Sequence, residues 1–283
     1  MSWDNVILSV VGGSGVIVAA VMAWRWRRSP ILASPTIEMS TPRGASLEAI
    51  RTVACLLAAA VIAGLLSVGL GGRLVMRVLA ATSGARAQGQ LTEAGETVGE
   101  ITFSGSLGFI LFVGVLLPLA ASFAFLILRR ALPGTAWVAG LIFGVLMLGT
   151  LGVADPLAPD NIDFVILSPL WLAVALVAAT ALLFGVTFTA LVARLDATVP
   201  RFGDGSHASL LQRSAYGFLV FLLIPFLAVP AAVYIGTRAI SHGRAGAYLS
   251  RPPIPRIGQA AVLLGAAVAL GFVINAGAAV LGS

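Results

Sequence analysis

The residues best suited to chemistry in this chain are two arginines and three glutamates that lie close together in the sequence. They are Arg73, Arg77, Glu93, Glu96 and Glu100. The two arginines are four positions apart, so on a helix they share one face. Spacings of three and four would place the glutamates on one face as well. Guanidinium and carboxylate groups at this density either pair with each other or bind a polar ligand.

Three interpretations of this charged cluster remain open. In the first, ion pairs tie two neighbouring helices together, and Glu100 belongs to a capping box that starts at Thr97. In the second, the charges line an outer vestibule that binds a polar ligand or a lipid headgroup. In the third, they are solvated charges. No Asp, Glu, Lys or Arg lies in the middle of an apolar run, and this argues against a proton- or sodium-driven transporter.

The composition places the chain in lipid. Hydrophobic residues make up 59% and charged residues 10% of the sequence, and the mean hydropathy is +1.04. A water-soluble domain is nearer half apolar and a quarter charged. The net charge of +6 comes from arginines that flank apolar runs. Arginines in that position orient membrane proteins, so we expect membrane lipids as partners and no nucleic acid.

The apolar runs predict an all-α bundle of about seven transmembrane helices in a single polytopic domain, with the N-terminus outside. The predicted spans are residues 6–24, 53–72, 107–128, 136–153, 169–193, 216–235 and 260–281. The first run has its arginines after it, the reverse of a cleaved signal peptide. The second and third helices are longer than a bilayer requires, which predicts a small extramembrane helical head over about 73–103.

Arginine counts favour this orientation, with ten beside the inner ends of the spans and seven beside the outer ends. Residues 237–257 are an exception, because they carry four arginines and lie outside if all seven spans cross. Pro225 and Pro230 predict a hinge in the sixth run. If that run is re-entrant, the connector lies inside and the C-terminus outside. The length of the run favours a full crossing.

Helix packing is predicted at Gly140 and Gly144, whose spacing lets a neighbouring helix approach closely. Asn275 is the one polar residue of the last run, and we assign it to packing as well. The threonines at depth are expected to form hydrogen bonds between helices. They are Thr180, Thr187 and Thr189.

The sequence predicts no cofactor, no metal site and no catalytic residue. Cys55 is the single cysteine, and His207 and His242 lie in polar connectors. Asp155, Asp160 and Asp163 match no calcium-binding loop. Motifs for a nucleophile elbow, a zinc protease or a phosphate loop are also absent from the sequence.

The strings GRLVMRVLA and LTEAGETVGEIT, within residues 71–112, resemble a signature of uncharacterised multi-span bacterial membrane proteins. The resemblance implies a multi-pass protein of the bacterial cytoplasmic membrane and no particular activity. The leading functional hypothesis is a non-enzymatic structural or accessory subunit, with a protein partner or as a homo-oligomer. The alternatives are a permease for a small neutral or amphipathic solute and an enzyme acting on a lipid headgroup.

Overall fold

The computed structural model describes residues 3–30, 42–100, 102–158, 160–199 and 254–282, and every regular element in these ranges is a helix. Helix α1 is Trp3–Arg25. The second long helix consists of α2 (Pro42–Ala63), a π-helical segment (Gly64–Leu70) and α3 (Gly71–Thr82). The third consists of α4 (Phe103–Leu111), a π-helical segment (Phe112–Leu116) and α5 (Leu117–Leu128).

Four further helices complete the described chain. They are α6 (Ala136–Met147), which continues into a π-helical segment (Leu148–Gly152), the short α7 (Asp163–Ile166), α8 (Leu170–Thr198) and α9 (Ile254–Gly282).

The all-helical class predicted from the apolar runs is confirmed for the described residues. Four helices are long and apolar enough to cross a membrane: Arg51–Thr82, Phe103–Leu128, Leu170–Thr198 and Arg256–Gly282. Ser9–Arg25 and Ala136–Gly152 are shorter apolar helices. The predicted sixth run at 216–235, with Pro225 and Pro230, lies outside the described residues.

The bundle has two chemically different ends. At one, which we call the arginine-rich end, the backbone N–H of Ala136 donates to Ser29 O at 2.9 Å, joining the exit of α1 to the start of α6. At the other, which we call the acidic end, Ser83 Oγ accepts from the backbone N–H of Ser168 at 2.8 Å. The chain alternates between these ends from α1 through α8, as antiparallel neighbours joined by short connections must.

Seven alternating crossings require α9 to start at the acidic end and to finish at the arginine-rich end. In the structure α9 runs in the opposite direction. Near its start, a Cβ built on Gly258 lies 3.7 Å from Ala131, at the arginine-rich end. Near its finish, Val280 packs with Leu79 and Phe164 at the acidic end. The expectation that the last helix starts beside the outer loops is therefore wrong. Contacts along its whole length fix the direction, including Ala269 against Gly149.

The predicted helical head is also corrected. The second helix does continue past the bilayer length to Thr82, as expected, but residues 83–100 form turns closed by an isolated bridge between Leu91 and Thr97. Gly95 and Gly99 adopt φ of +74° and +92°, left-handed conformations that end any helix through this stretch. The helix after it begins at Phe103, so the capping box expected at Thr97 is not formed.

Helices α6 and α8 cross with their backbones close together. A Cβ built on Gly140 lies 2.5 Å from Val186 Cα, and one on Gly144 lies 3.0 Å from Leu182 Cα. On the opposing helix, a Cβ on Gly185 lies 2.8 Å from Gly144 N. The glycine pair thus faces a third glycine, and the two backbones are in contact.

Threonine hydroxyls reinforce the crossings of α8. Thr189 Oγ1 donates to Ala136 O of α6 at 2.8 Å, and Thr187 Oγ1 donates to Ala19 O of α1 at 3.2 Å. These two interhelical bonds confirm the prediction for Thr187 and Thr189. For Thr180 the prediction is wrong, because its hydroxyl donates to Leu176 O of its own helix.

The second and third long helices cross at their π-helical segments. A Cβ built on Gly114 lies 2.8 Å from Gly69 Cα, and one on Gly64 lies 2.7 Å from Pro118 Cβ. Pro118 has no N–H to donate to the helical ladder, and the π-helical turn precedes it directly. The helix is therefore locally widened next to this proline, where the second long helix packs against it.

Replacing Gly144 with Leu tests the α6–α8 crossing. The added side chain overlaps the α8 backbone, so the free energy of unfolding should fall by about 1–3 kcal/mol. Gly108→Leu is the matched control, since a Cβ there meets nothing within 4 Å. That variant should keep its apparent melting temperature in mild detergent or gain slightly from helix propensity. Equal melting temperatures for both variants would contradict the crossing.

Candidate functional site

The strongest polar constellation in the described residues is centred on Arg51, at the arginine-rich end. Its side chain is 1% exposed. Arg51 Nε and Nη2 donate to the two carboxylate oxygens of Glu48 at 2.9 and 2.7 Å, and Nη2 also donates to Asp196 Oδ1 at 2.5 Å. Nη1 donates to the backbone carbonyls of Asp196 and Val199, both at 3.3 Å. The guanidinium is thus satisfied on all three nitrogens.

This constellation joins the start of the second helix to the end of α8. Glu48 and Arg51 lie one helical turn apart, whereas Asp196 is 145 residues further along the chain. Neither Glu48 nor Arg51 belongs to the charged cluster predicted from the sequence. The three-residue spacing from Glu48 to Arg51 could have predicted the ion pair between them. Nothing in the sequence pointed to Asp196 as the third member.

At the acidic end, hydrogen bonds between loops build an ordered surface. The backbone N–H of Glu93 donates to Asp163 Oδ1 at 2.9 Å, which ties residues 83–100 to the start of α7. Asp163 N–H in turn donates to Asn161 Oδ1 at 2.8 Å. Ala87 and Val98 are buried within this surface. The loops are therefore packed together, and the glutamates are held on a fixed framework.

Arg73 lies between the second and third long helices at this end. Its Cζ is 5.1 Å from the centre of the Phe109 ring, and Nη1 approaches Met76 Sδ at 3.8 Å. Its Nε is buried and finds no hydrogen-bond partner among the described residues, and Ser106 Oγ on α4 is in the same situation. A buried donor without a partner costs free energy. Arg73 therefore has a buried hydrogen-bond donor left without a partner in the part of the chain that the structure describes.

The structure does not bring the predicted charged cluster together as ion pairs. Within the described ranges, the ion pairs closer than 4.0 Å involve Arg51, and neither Arg73 nor Arg77 reaches a glutamate. Glu96 is near enough to act electrostatically on Arg73. Glu93 and Glu100 are exposed.

Glu96 serves the start of the third long helix. Its Oε2 accepts from Thr102 Oγ1 at 3.1 Å, and Thr102 Oγ1 accepts from the backbone N–H of Gly105 at 3.1 Å. Thr102 is the N-cap of α4. The carboxylate also lies against Gly105, in the first turn, where a helix favours negative charge. The hydroxyl and carboxylate are thus used for capping, which is a structural task.

The remaining predicted site residues are scattered. Gly140 and Gly144 lie at the crossing with α8 described above. Asn275 lies on an exposed face of α9, and no hydrogen bond connects it to the described residues. Pro225 and Pro230 lie outside those residues.

No protein-family model, curated protein or solved structure matches this chain.

Replacing Arg51 with Met tests the triad at the arginine-rich end. The change leaves two partly buried carboxylates without their cation, so the free energy of unfolding should fall by on the order of 3 kcal/mol. The control is Arg130→Met, which removes an exposed arginine from the same end and should change stability by less than about 0.5 kcal/mol. Thermal unfolding in mild detergent measures both. Similar losses in the two variants would show that the triad does not hold α2 to α8.

Proposed function

We propose that this chain is a non-enzymatic structural subunit of the bacterial cytoplasmic membrane, a multi-pass protein that pairs with a second copy of itself through α9. The arginine-rich end faces the cytoplasm, and both the first residue of α1 and the last residue of α9 face outward. The observation that carries the proposal is the exposed face of α9.

The distribution of arginines supports the orientation. Among the described helices and turns, nine arginines lie at the arginine-rich end: Arg25, Arg27, Arg28, Arg43, Arg51, Arg129, Arg130, Arg194 and Arg256. Three lie at the acidic end, namely Arg73, Arg77 and Arg86. Positive residues beside membrane spans favour the cytoplasmic side. The direction of α9 strengthens this imbalance, because it places Arg256 with the majority.

Cysteine labelling on intact cells tests the orientation in a Cys55→Ala background. Gly134→Cys reports on the arginine-rich end, whereas Ala94→Cys and Gly282→Cys report on the acidic end. Positions 134 and 282 have open space around an added Cβ, and Ala94 is exposed. An impermeant thiol reagent should label positions 94 and 282 and leave 134 unlabelled. Labelling of 134 alone would reverse the orientation, and protection of 282 together with 134 would overturn the direction of α9.

The exposed face of α9 has the composition of a helix–helix interface. Ala267, Gly271, Asn275 and Ala279 follow one another at intervals of four residues, and all four are exposed. Small residues at this spacing allow two backbones to approach, and an asparagine hydrogen-bonds across such an interface. Facing lipid, the same asparagine amide would have no partner. The stripe therefore favours a second membrane helix over lipid.

Symmetry favours a second copy of this chain as the source of the helix that packs against α9. When two copies of α9 pair in parallel about a two-fold axis, Gly271 faces Gly271 and Asn275 faces Asn275, so the small residues and the amide groups match without further requirements. An asparagine side chain carries both a donor and an acceptor, so it can bond to an identical partner. A different protein would need a stripe of its own in the same register.

Gly271→Leu tests self-association. The added side chain blocks the approach of the second helix, so the dimer fraction in mild detergent, measured by native mass spectrometry, should fall by about an order of magnitude. Gly108→Leu, on α4, is the matched control and should leave the dimer fraction unchanged. A monomeric wild-type protein would overturn the proposal. So would a Gly271→Leu protein that loses thermal stability while its dimer fraction stays the same, because the face would then pack within one chain.

A permease for a small neutral or amphipathic solute is the second candidate, and the crossing of the two π-helical segments favours it. Such segments interrupt the regular ladder and occur frequently at functional sites. Here they meet at Gly64, Gly69 and Gly114, within the span rather than at its ends. Solute uptake into proteoliposomes, absent from liposomes without protein, would favour this candidate over the structural subunit.

A further inference from the structure

A groove of about 730 Å³ opens between α1, α6 and α8, and it runs toward the arginine-rich end. Farther from the arginine-rich end it is lined by apolar side chains, among them Val21, Leu183 and Val186. Its mouth is lined by Arg25 and Arg27. The groove thus changes from apolar to cationic along its length, in the same sense as a membrane leaflet changes from hydrocarbon to headgroups.

Two tryptophans border the mouth of this groove. Trp24 is 62% exposed and Trp137 is 38% exposed, and both line it. Exposed tryptophans are enriched at the depth where acyl chains give way to headgroups. Their position therefore places the cationic mouth at headgroup level and the apolar part beside the acyl chains.

The guanidinium of Arg27 is held at the mouth by its neighbour. Its Cζ lies 3.8 Å from the centre of the Trp24 ring, and its Nη1 donates to Trp24 O at 2.8 Å. A guanidinium has five N–H donors in a planar fork that suits phosphate, so several remain for a ligand. Stacking on the indole leaves the edge of the guanidinium accessible and fixes its direction.

Among the described residues, no carboxylate lines the groove, so none neutralises the arginines at its mouth. At the arginine-rich end, Glu48 and Asp196 both bind Arg51. Arg194 adds positive charge nearby, with its Cζ 5.9 Å from the Trp26 ring. The groove mouth therefore carries net positive charge and complements an anion.

We propose that this groove binds one anionic phospholipid, with an acyl chain along Val21, Leu183 and Val186 and the phosphate at Arg25 and Arg27. Basic pockets between membrane helices on the cytoplasmic side bind anionic headgroups in this way. A helix from a partner protein would bury both guanidinium groups unless it brought carboxylates, and burying an unpaired charge is costly. Free phosphate would satisfy the arginines but leave the apolar part of the groove uncovered.

Thermal stabilisation by defined lipids tests the proposal on the full-length protein in mild detergent. Dioleoyl phosphatidylglycerol should raise the apparent melting temperature by several degrees more than dioleoyl phosphatidylcholine, and inorganic phosphate should have no effect. Arg25→Gln with Arg27→Gln should raise the phosphatidylglycerol concentration needed for half the effect by about an order of magnitude. Leu183→Trp fills the groove and should remove the effect while leaving both arginines in place.

The matched control is Arg28→Gln with Arg130→Gln, which removes the same charge from exposed positions at the same end but outside the groove. This variant should respond to phosphatidylglycerol as the wild type does. An equal loss in both double variants would show diffuse attraction to an anionic surface and would overturn the site. Equal stabilisation of the wild type by both lipids, or an effect of phosphate alone, would overturn it as well.

Discussion

The bundle depends on the approach of α6 to α8, where Gly140 and Gly144 face Gly185 with their backbones in contact. Lipid is as apolar as a leucine side chain, so membrane helices gain nothing from hydrophobic burial against each other and associate through close packing and hydrogen bonds instead. Beside the glycines, the rings of Phe125, Phe143 and Phe188 meet edge-to-face or tilted, with centroids 5.0 to 5.7 Å apart. Small residues set the distance between these helices, and large rings fill the volume next to them.

The two arginines at opposite ends of the second helix show how one residue type meets two different needs. Arg51 is buried away from water and donates hydrogen bonds to two carboxylates and two backbone carbonyls. These bonds hold α2 against α8. Arg73 has a ring beneath its guanidinium, a glutamate nearby and one donor left unsatisfied. The first arginine is committed to the fold. The second retains the capacity to bind a polar group, at the end of the molecule where the loops carry most of the acidic residues.

Helix α9 differs from the other long helices in how little of it the described core covers. It touches the bundle along one face, where Ala269 meets Gly149 and Val280 joins the cluster with Leu79, and most of its other side chains are exposed. The core formed by α1 through α8 supplies its own glycine crossings and its own ion-pair triad. A helix attached at the periphery is therefore free to present its outer face to another membrane helix.

Local features of the sequence were sufficient for the class of fold and for many helix limits. Apolar length predicted helices that end near Arg25 and Leu128, because the cost of exposing backbone groups to lipid acts on each segment separately. The spacing of Gly140 and Gly144 indicated a packing face, because small residues four positions apart let a neighbouring helix approach closely. Their packing partner Gly185 could not be identified from the sequence. Tertiary structure decided what depends on distant residues. Asp196 joins Arg51 only when α8 returns to the start of α2, and the direction of α9 follows from packing against Gly149 rather than from any count of apolar runs.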